Sequence, residues 1–258
     1  MADLLRLAFG TDDGFGGRAR IGLVVLENDQ TVEAELRGLW PDGVTAFVTR
    51  IPMEDQVTPE TLLAMEERIP AAAGLLPSTF GFDAIGYGCT SAATLIGEAR
   101  VDAAIRRAHP EAPNTNPITA AVAAFGALEA TRIGVVTPYN VEVTGGIVDH
   151  LSGQGLEVTR TGSFLEESDH TVARITEASV AAGVRQIAGD AAGLDAVFVS
   201  CTSLRLFGIA DALEEELGIP VVSSNLAFGW HLLRLAGIDD HLPGLGSLFG
   251  LGLDGAAS

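Results

Sequence analysis

The sequence predicts an α/β protein built as two pseudo-symmetric lobes, each a doubly wound parallel sheet. Apolar runs of strand length alternate with helical patterns along most of the chain. One phrase is written twice: Asp83-Ala84-Ile85-Gly86-Tyr87-Gly88-Cys89-Thr90-Ser91 returns 112 positions later as Asp195-Ala196-Val197-Phe198-Val199-Ser200-Cys201-Thr202-Ser203. At the same offset Arg20-Ile21-Gly22-Leu23-Val24-Val25-Leu26 is answered by Arg132-Ile133-Gly134-Val135-Val136-Thr137-Pro138. Two matches at one period mark two copies of one α/β unit.

Residues 1–19, rich in Gly and Asp, read as an irregular N-terminal arm. Strands are expected at 20–26, 44–50, 82–88, 132–137, 156–161, 194–200 and 219–223. Each is short, largely apolar and bounded by Gly, Pro, Asp or Ser, as suits a parallel sheet covered on both faces. A helix over 58–75 opens on Thr58-Pro59-Glu60, a cap residue followed by proline at the first helical position. Residues 117–130 read as an almost uncharged helix of small side chains, packed between lobes or buried in a core. A helix over 203–217 ends at Gly218. The resulting division is an arm (1–19), a first lobe (20–116 with 224–258) and a second lobe (117–223).

At 258 residues, 47% hydrophobic, with mean hydropathy +0.32, the chain has ample apolar material for a packed core. No apolar run reaches the roughly 18 residues of a membrane span, and the N-terminus shows no secretory pattern, so a cytoplasmic protein is expected. A net charge of −19 without a basic cluster argues against nucleic acid and anionic membranes as partners. All 15 cationic residues are arginine, which excludes a Schiff-base lysine and a P-loop lysine. Neither cysteine has a second Cys or a His at zinc-site spacing, so no metal is expected, and both are read as thiols.

Cys89 and Cys201 each stand one residue beyond a predicted strand, at the edge where open parallel sheets bind ligands. Amides opening a following helix stabilise a thiolate, and the Thr90-Ser91 and Thr202-Ser203 hydroxyls can donate to an oxyanion. A lone cysteine is more often a small buried hydrophobe. Two copies keeping Cys-Thr-Ser, with cysteine nowhere else, favour chemistry. Gly86 and Gly88 are a fragment of a dinucleotide fingerprint that lacks its third glycine, and are read instead as letting backbone amides approach a small ligand. Tyr139 ends the strand that restarts the repeat, either as a donor to a carboxylate or as a packed turn residue. Asn28 and Asp29 occupy the matching edge of the first copy. Ser224 and Asn225 follow the last strand as cap or ligand groups. His170 lies in the acidic loop 163–171, either solvated or orienting substrate.

From Ile21 to Phe249 the chain resembles the aspartate/glutamate racemase superfamily, in the branch of maleate cis-trans isomerase and arylmalonate decarboxylase. The resemblance is carried by Gly88-Cys89-Thr90-Ser91, Thr137-Pro138-Tyr139, Ser200-Cys201-Thr202, 218–225 and the ending 242–249. It implies a two-lobed fold with the active site in the cleft between lobes, no cofactor, and a homodimer or higher homo-oligomer. Both cysteines are present, as in the isomerases, whereas the decarboxylase keeps only the second. The resemblance implies that Cys89 adds to the double bond of a small unsaturated dicarboxylate while Cys201 serves as acid and base. It places Thr90, Ser91, Tyr139, Thr202 and Ser203 on the substrate carboxylates. Where the isomerases carry asparagines, this chain has Asp29 beside Asn28, and His170 beside Asp169, a departure shared with similar ectoine-utilisation proteins. The runner-up is a two-cysteine racemase of an amino acid or hydantoin. A carboxylate-binding protein without turnover is the third reading.

Overall fold

The computed structural model describes residues 4–54, 56–189 and 193–256. Its eight strands form two parallel sheets. The first contains β1 (Ala19–Leu26), β2 (Val44–Ile51), β3 (Ala84–Gly88) and β4 (Asn114–Thr115), in the order β2-β1-β3-β4. The second contains β5 (Arg132–Thr137), β6 (Glu157–Ser163), β7 (Ala196–Val199) and β8 (Val221–Ser223), in the order β6-β5-β7-β8. The duplicated phrases therefore fold into equivalent places: β1 answers β5 and β3 answers β7. In each sheet the central strand pairs with the cysteine-bearing one, Gly22 opposite Ile85 and Gly134 opposite Val197. Asp83 and Asp195 repeat one local device as well, each accepting the backbone N–H of Arg20 or Arg132 at 2.7 Å.

The helices that follow β4 and β8 join the lobes. Pro117–Ala127 begins at Asn116, whose side chain accepts the Ile118 and Thr119 amides at 3.1 Å each. It buries Phe125 edge-on against Phe198 of β7. Ser224–Leu235, capped by Ser223, instead crosses to the first sheet, where Phe228 and Leu232 close on Gly86 of β3. These two helices also pack on each other. Each is buried along most of its length, which accounts for the uncharged, small-residue composition of Pro117–Ala127 and the largely apolar one of Ser224–Leu235. Among the described residues no helix is long and apolar enough to cross a membrane.

Three sequence expectations change. The helix expected over 58–75 is broken into Pro59–Leu63, a 3-10 turn at Glu66–Arg68, and Ile69–Ala73. Pro70 cannot donate to the turn before it, so the chain restarts there. The helix expected over 203–217 is confined to Ala210–Leu217. Its would-be first turns are held open because Glu35, from the other lobe, takes the Leu206 and Phe207 amides on Oε1 at 2.8 and 3.1 Å. Gly86, expected to admit a ligand, has a packing role: a Cβ there would lie 2.3 Å from Phe228 Cζ and 3.1 Å from Leu232 Cδ1.

Because Phe228 is fully buried and cannot retreat, Gly86→Ala is expected to destabilise the fold by about 1–3 kcal/mol in denaturant melts. Gly88→Ala, whose nearest new contact is 3.5 Å away, is expected to cost markedly less.

Candidate active site

Cys89 follows β3 and serves as N-cap of the helix Thr90–Ile96, its Sγ accepting the Ala92 amide at 3.4 Å. Cys201 follows β7 and accepts the Ser203 amide at 3.3 Å, but no helix starts there. Both sulfurs are 3% exposed. Two hydroxyls stand beside them. Ser91 Oγ lies 3.8 Å from Cys89 Sγ, and the Tyr139 hydroxyl is within electrostatic reach of Ser91 and of both thiols. Ser91 comes from the first lobe and Tyr139 from the second, so each lobe brings a hydroxyl to the thiols. Tyr139 is buried.

The sequence suggested that helix amides would depress the thiol pKa values. Burial outweighs them here. Removal from water pushes Cys89 up to about 11 despite help from the Ala92 amide and Ser91. Cys201 is raised further by burial and by Asp169, against donation from Tyr139 and the Ser203 amide. Both sites are therefore neutral thiols near pH 7. The seven-residue helix offers one amide to Cys89, and one such hydrogen bond does not offset loss of the hydration shell.

The other expected residues sort into two shells of the cleft. Thr90 Oγ1 is hydrogen bonded to Ser224 Oγ at 2.8 Å, and Asn225 donates to Glu35 and to the Thr202 carbonyl, which gives Ser224 and Asn225 structural duties. Ser203 Oγ donates to Asp169 Oδ1 at 2.8 Å. Asp29 Oδ1 accepts the Thr31 and Val32 amides at 2.8 Å each, with the Thr202 hydroxyl beside the same carboxylate. Burial, only partly offset by these donors, pushes Asp29 up to about 6, and Asp169 is also raised by burial. Asn28 and His170 lie outside this buried set, lining with Asp29, Glu27, Arg50 and Ser168 a cavity of about 640 Å³. Neither cysteine lines that cavity. Asp29 is common to the cavity wall and to the electrostatic surroundings of both thiols.

Two buried side chains near the thiols went unread in the sequence. Asp169, 6% exposed, turns inward where the neighbouring His170 is exposed. In what the sequence presents as an acidic loop, Ser168 caps the short helix Asp169–Val172 by accepting the Thr171 amide, and nothing in the charge run says which side chain faces the cleft. Tyr87, fully buried below Cys89, reads simply as a strand residue; its hydroxyl reaches Met65 Sδ at 3.7 Å. Among the described residues no group of three or more His, Cys, Asp or Glu side chains converges as metal ligands do.

With this geometry in view, comparison with known proteins is informative. The family model described as arylmalonate decarboxylase matches residues 21–249. The maleate isomerase of Nocardia farcinica is 30% identical over 249 residues, covering 90% of this chain and 96% of the relative. That of Pseudomonas putida is 28% identical over 244 residues, covering 89% and 96%. A solved structure of a cysteine-to-serine variant of the Nocardia farcinica maleate cis-trans isomerase, with a covalently bound succinylcysteine intermediate, superposes with a TM-score of 0.82. It is 27% identical and covers 90% of this chain and 98% of its own. The chain belongs to the arylmalonate decarboxylase family, in the branch that also holds the maleate isomerases, and is an isomerase.

Proposed function

We propose that the protein is a cofactor-independent cis-trans isomerase of a small unsaturated dicarboxylate, of the maleate-to-fumarate type, working by covalent cysteine addition. The observation that carries this reading is the convergence of two buried thiols, one from each lobe, around the Ser91 and Tyr139 hydroxyls. The succinylcysteine intermediate of the Nocardia farcinica relative supports it at the level of the family.

The chemistry starts from two neutral thiols and balances without a free thiolate in the resting enzyme. Cys89 Sγ adds to one olefinic carbon, and the π pair shifts to the neighbouring carbon, which takes a proton from Cys201. As Cys201 gives up its proton, Tyr139 replaces it, Ser91 replaces the Tyr139 proton, and the original Cys89 proton moves to Ser91. A hydroxyl can take one proton as it gives another, so the relay through Ser91 and Tyr139 balances. The adduct carries a carbon–carbon single bond, which rotates. Reversal removes the proton to Cys201, breaks the carbon–sulfur bond and releases the trans alkene. Concerted proton movement avoids placing a bare negative sulfur in a buried site already carrying Asp29 and Asp169.

The buried acidic pair favours a second reading, two-base racemisation of an amino acid whose ammonium would meet Asp29 and Asp169. Proton NMR in deuterated water separates the two. Fumarate formed from maleate supports isomerisation, and exchange of an α-hydrogen without alkene chemistry supports racemisation.

Cys89→Ala and Cys201→Ala are each expected to abolish turnover while leaving thermal melts nearly unchanged; substantial activity in either variant contradicts the paired-thiol mechanism. Ser91→Ala and Tyr139→Phe interrupt the proton path without removing a sulfur, and each is expected to raise the barrier by about 1–3 kcal/mol, read mainly in kcat. Alkylation of Cys89 by iodoacetamide should be slow at pH 7. It should rise by about tenfold per pH unit, since thiolate accumulates only as pH climbs toward the raised value of about 11.

A further inference from the structure

Asp29 and Asp169 form a buried acidic pair that the thiol chemistry does not use. They are 3% and 6% exposed, and each acts electrostatically on both cysteines. One oxygen of each is occupied: Asp29 Oδ1 by the Thr31 and Val32 amides, Asp169 Oδ1 by the Ser203 hydroxyl. The second oxygen of each, Oδ2, is buried without a hydrogen-bond partner, and buried acceptors of that kind are rare unless something else is meant to meet them. Asp29 also lines the cavity that Asn28 and His170 share.

Among the described residues no arginine pairs with either carboxylate. Arg50, the arginine in the cavity wall, spends one guanidinium nitrogen on the Leu26, Glu27 and Asp29 carbonyls at 2.9, 3.1 and 3.1 Å, and another on the Glu33 carboxylate. His170 lines the same cavity and is exposed. A dianion in the cleft would therefore set a carboxylate against buried like charge. A ligand with N–H donors at that end would satisfy both unpartnered oxygens, while its single carboxylate meets the hydroxyl-rich side at Ser91 and Tyr139.

We propose that the preferred substrate is a small monocarboxylate whose other end carries N–H donors to Asp29 and Asp169: the half-amide of the unsaturated dicarboxylate rather than the dicarboxylate itself. This rests on the two-thiol isomerase reading, with the alkene and the Cys89 addition unchanged. The covalent step is the one already balanced: the sulfur–carbon bond forms as the π bond opens, the proton comes from Cys201, and elimination restores both.

Calorimetric titration of the full-length protein with maleate and with maleamate tests it independently of turnover. The wild type is expected to bind maleamate at least about tenfold more tightly than maleate, and the Asp29→Asn, Asp169→Asn double variant to reverse that order, because carboxamides supply donors to a second carboxylate. L-asparagine serves as a third titrant. If it binds more tightly than maleamate, an ammonium and not the unsaturated half-amide is the preferred donor, and the proposal is overturned. Equal or tighter binding of maleate by the wild type at pH 8 overturns the proposal. Should the double variant fold poorly, the single Asp29→Asn variant carries the same comparison. NMR of maleamate and maleate turnover reads the isomerase assignment separately: tight maleamate binding with no isomerisation of either compound removes the reaction and leaves the binding preference standing.

Discussion

Ser91 and Tyr139 come from different halves of the chain, and their hydroxyls meet beside two thiols that belong to separate lobes. That contact constrains almost everything around it. It requires β3 and β7 to end at matched depths facing one cleft, and their equivalent places in two sheets of the same strand order supply this. It also requires the lobes to be rigid relative to each other. The helices Pro117–Ala127 and Ser224–Leu235 provide that by pairing between the sheets, and Glu35 adds a polar tie to Leu206, Phe207 and Asn225. A cleft held this firmly keeps the reacting groups oriented without a cost at each turnover.

Burial gives the site its chemical character. A nucleophile poised as a thiolate would have to outweigh desolvation and two neighbouring carboxylates, and the single amide and hydroxyl offered to Cys89 do not do so. In the mechanism we propose, both thiols stay protonated until substrate arrives, which protects them from adventitious electrophiles. The absence of lysine from the sequence fits this design, since no mobile ammonium competes for the cleft's carboxylates.

How much of this could be read from the sequence follows physical range. The repeat, the parallel sheets and the position of both cysteines were legible because each is written locally, in strand-length apolar runs and in one phrase repeated with its Cys-Thr-Ser ending. What was illegible depends on distant partners. The loss of helix over residues 203–209 is caused by Glu35, some 170 positions earlier, taking two amides that a helix needs. Gly86 looked like a ligand-approach glycine until Phe228 proved to occupy the space of its missing Cβ. The loop 163–171 displayed its acidity openly, yet only the folded chain distinguishes inward Asp169 from outward His170. The thiol pKa values run opposite to the local pattern for the same reason: helix amides are visible in sequence and desolvation is not.

The central claim is that two sulfurs from sister lobes act on one small molecule, with Cys89 as the nucleophile. Peptide mapping by mass spectrometry of the Cys201→Ser protein, quenched in acid after exposure to maleate or its half-amide, tests this most directly. A succinyl-type adduct confined to Cys89 is the result the account predicts. An adduct on any other residue, or unmodified Cys89 in a protein that still consumes the alkene, would contradict it.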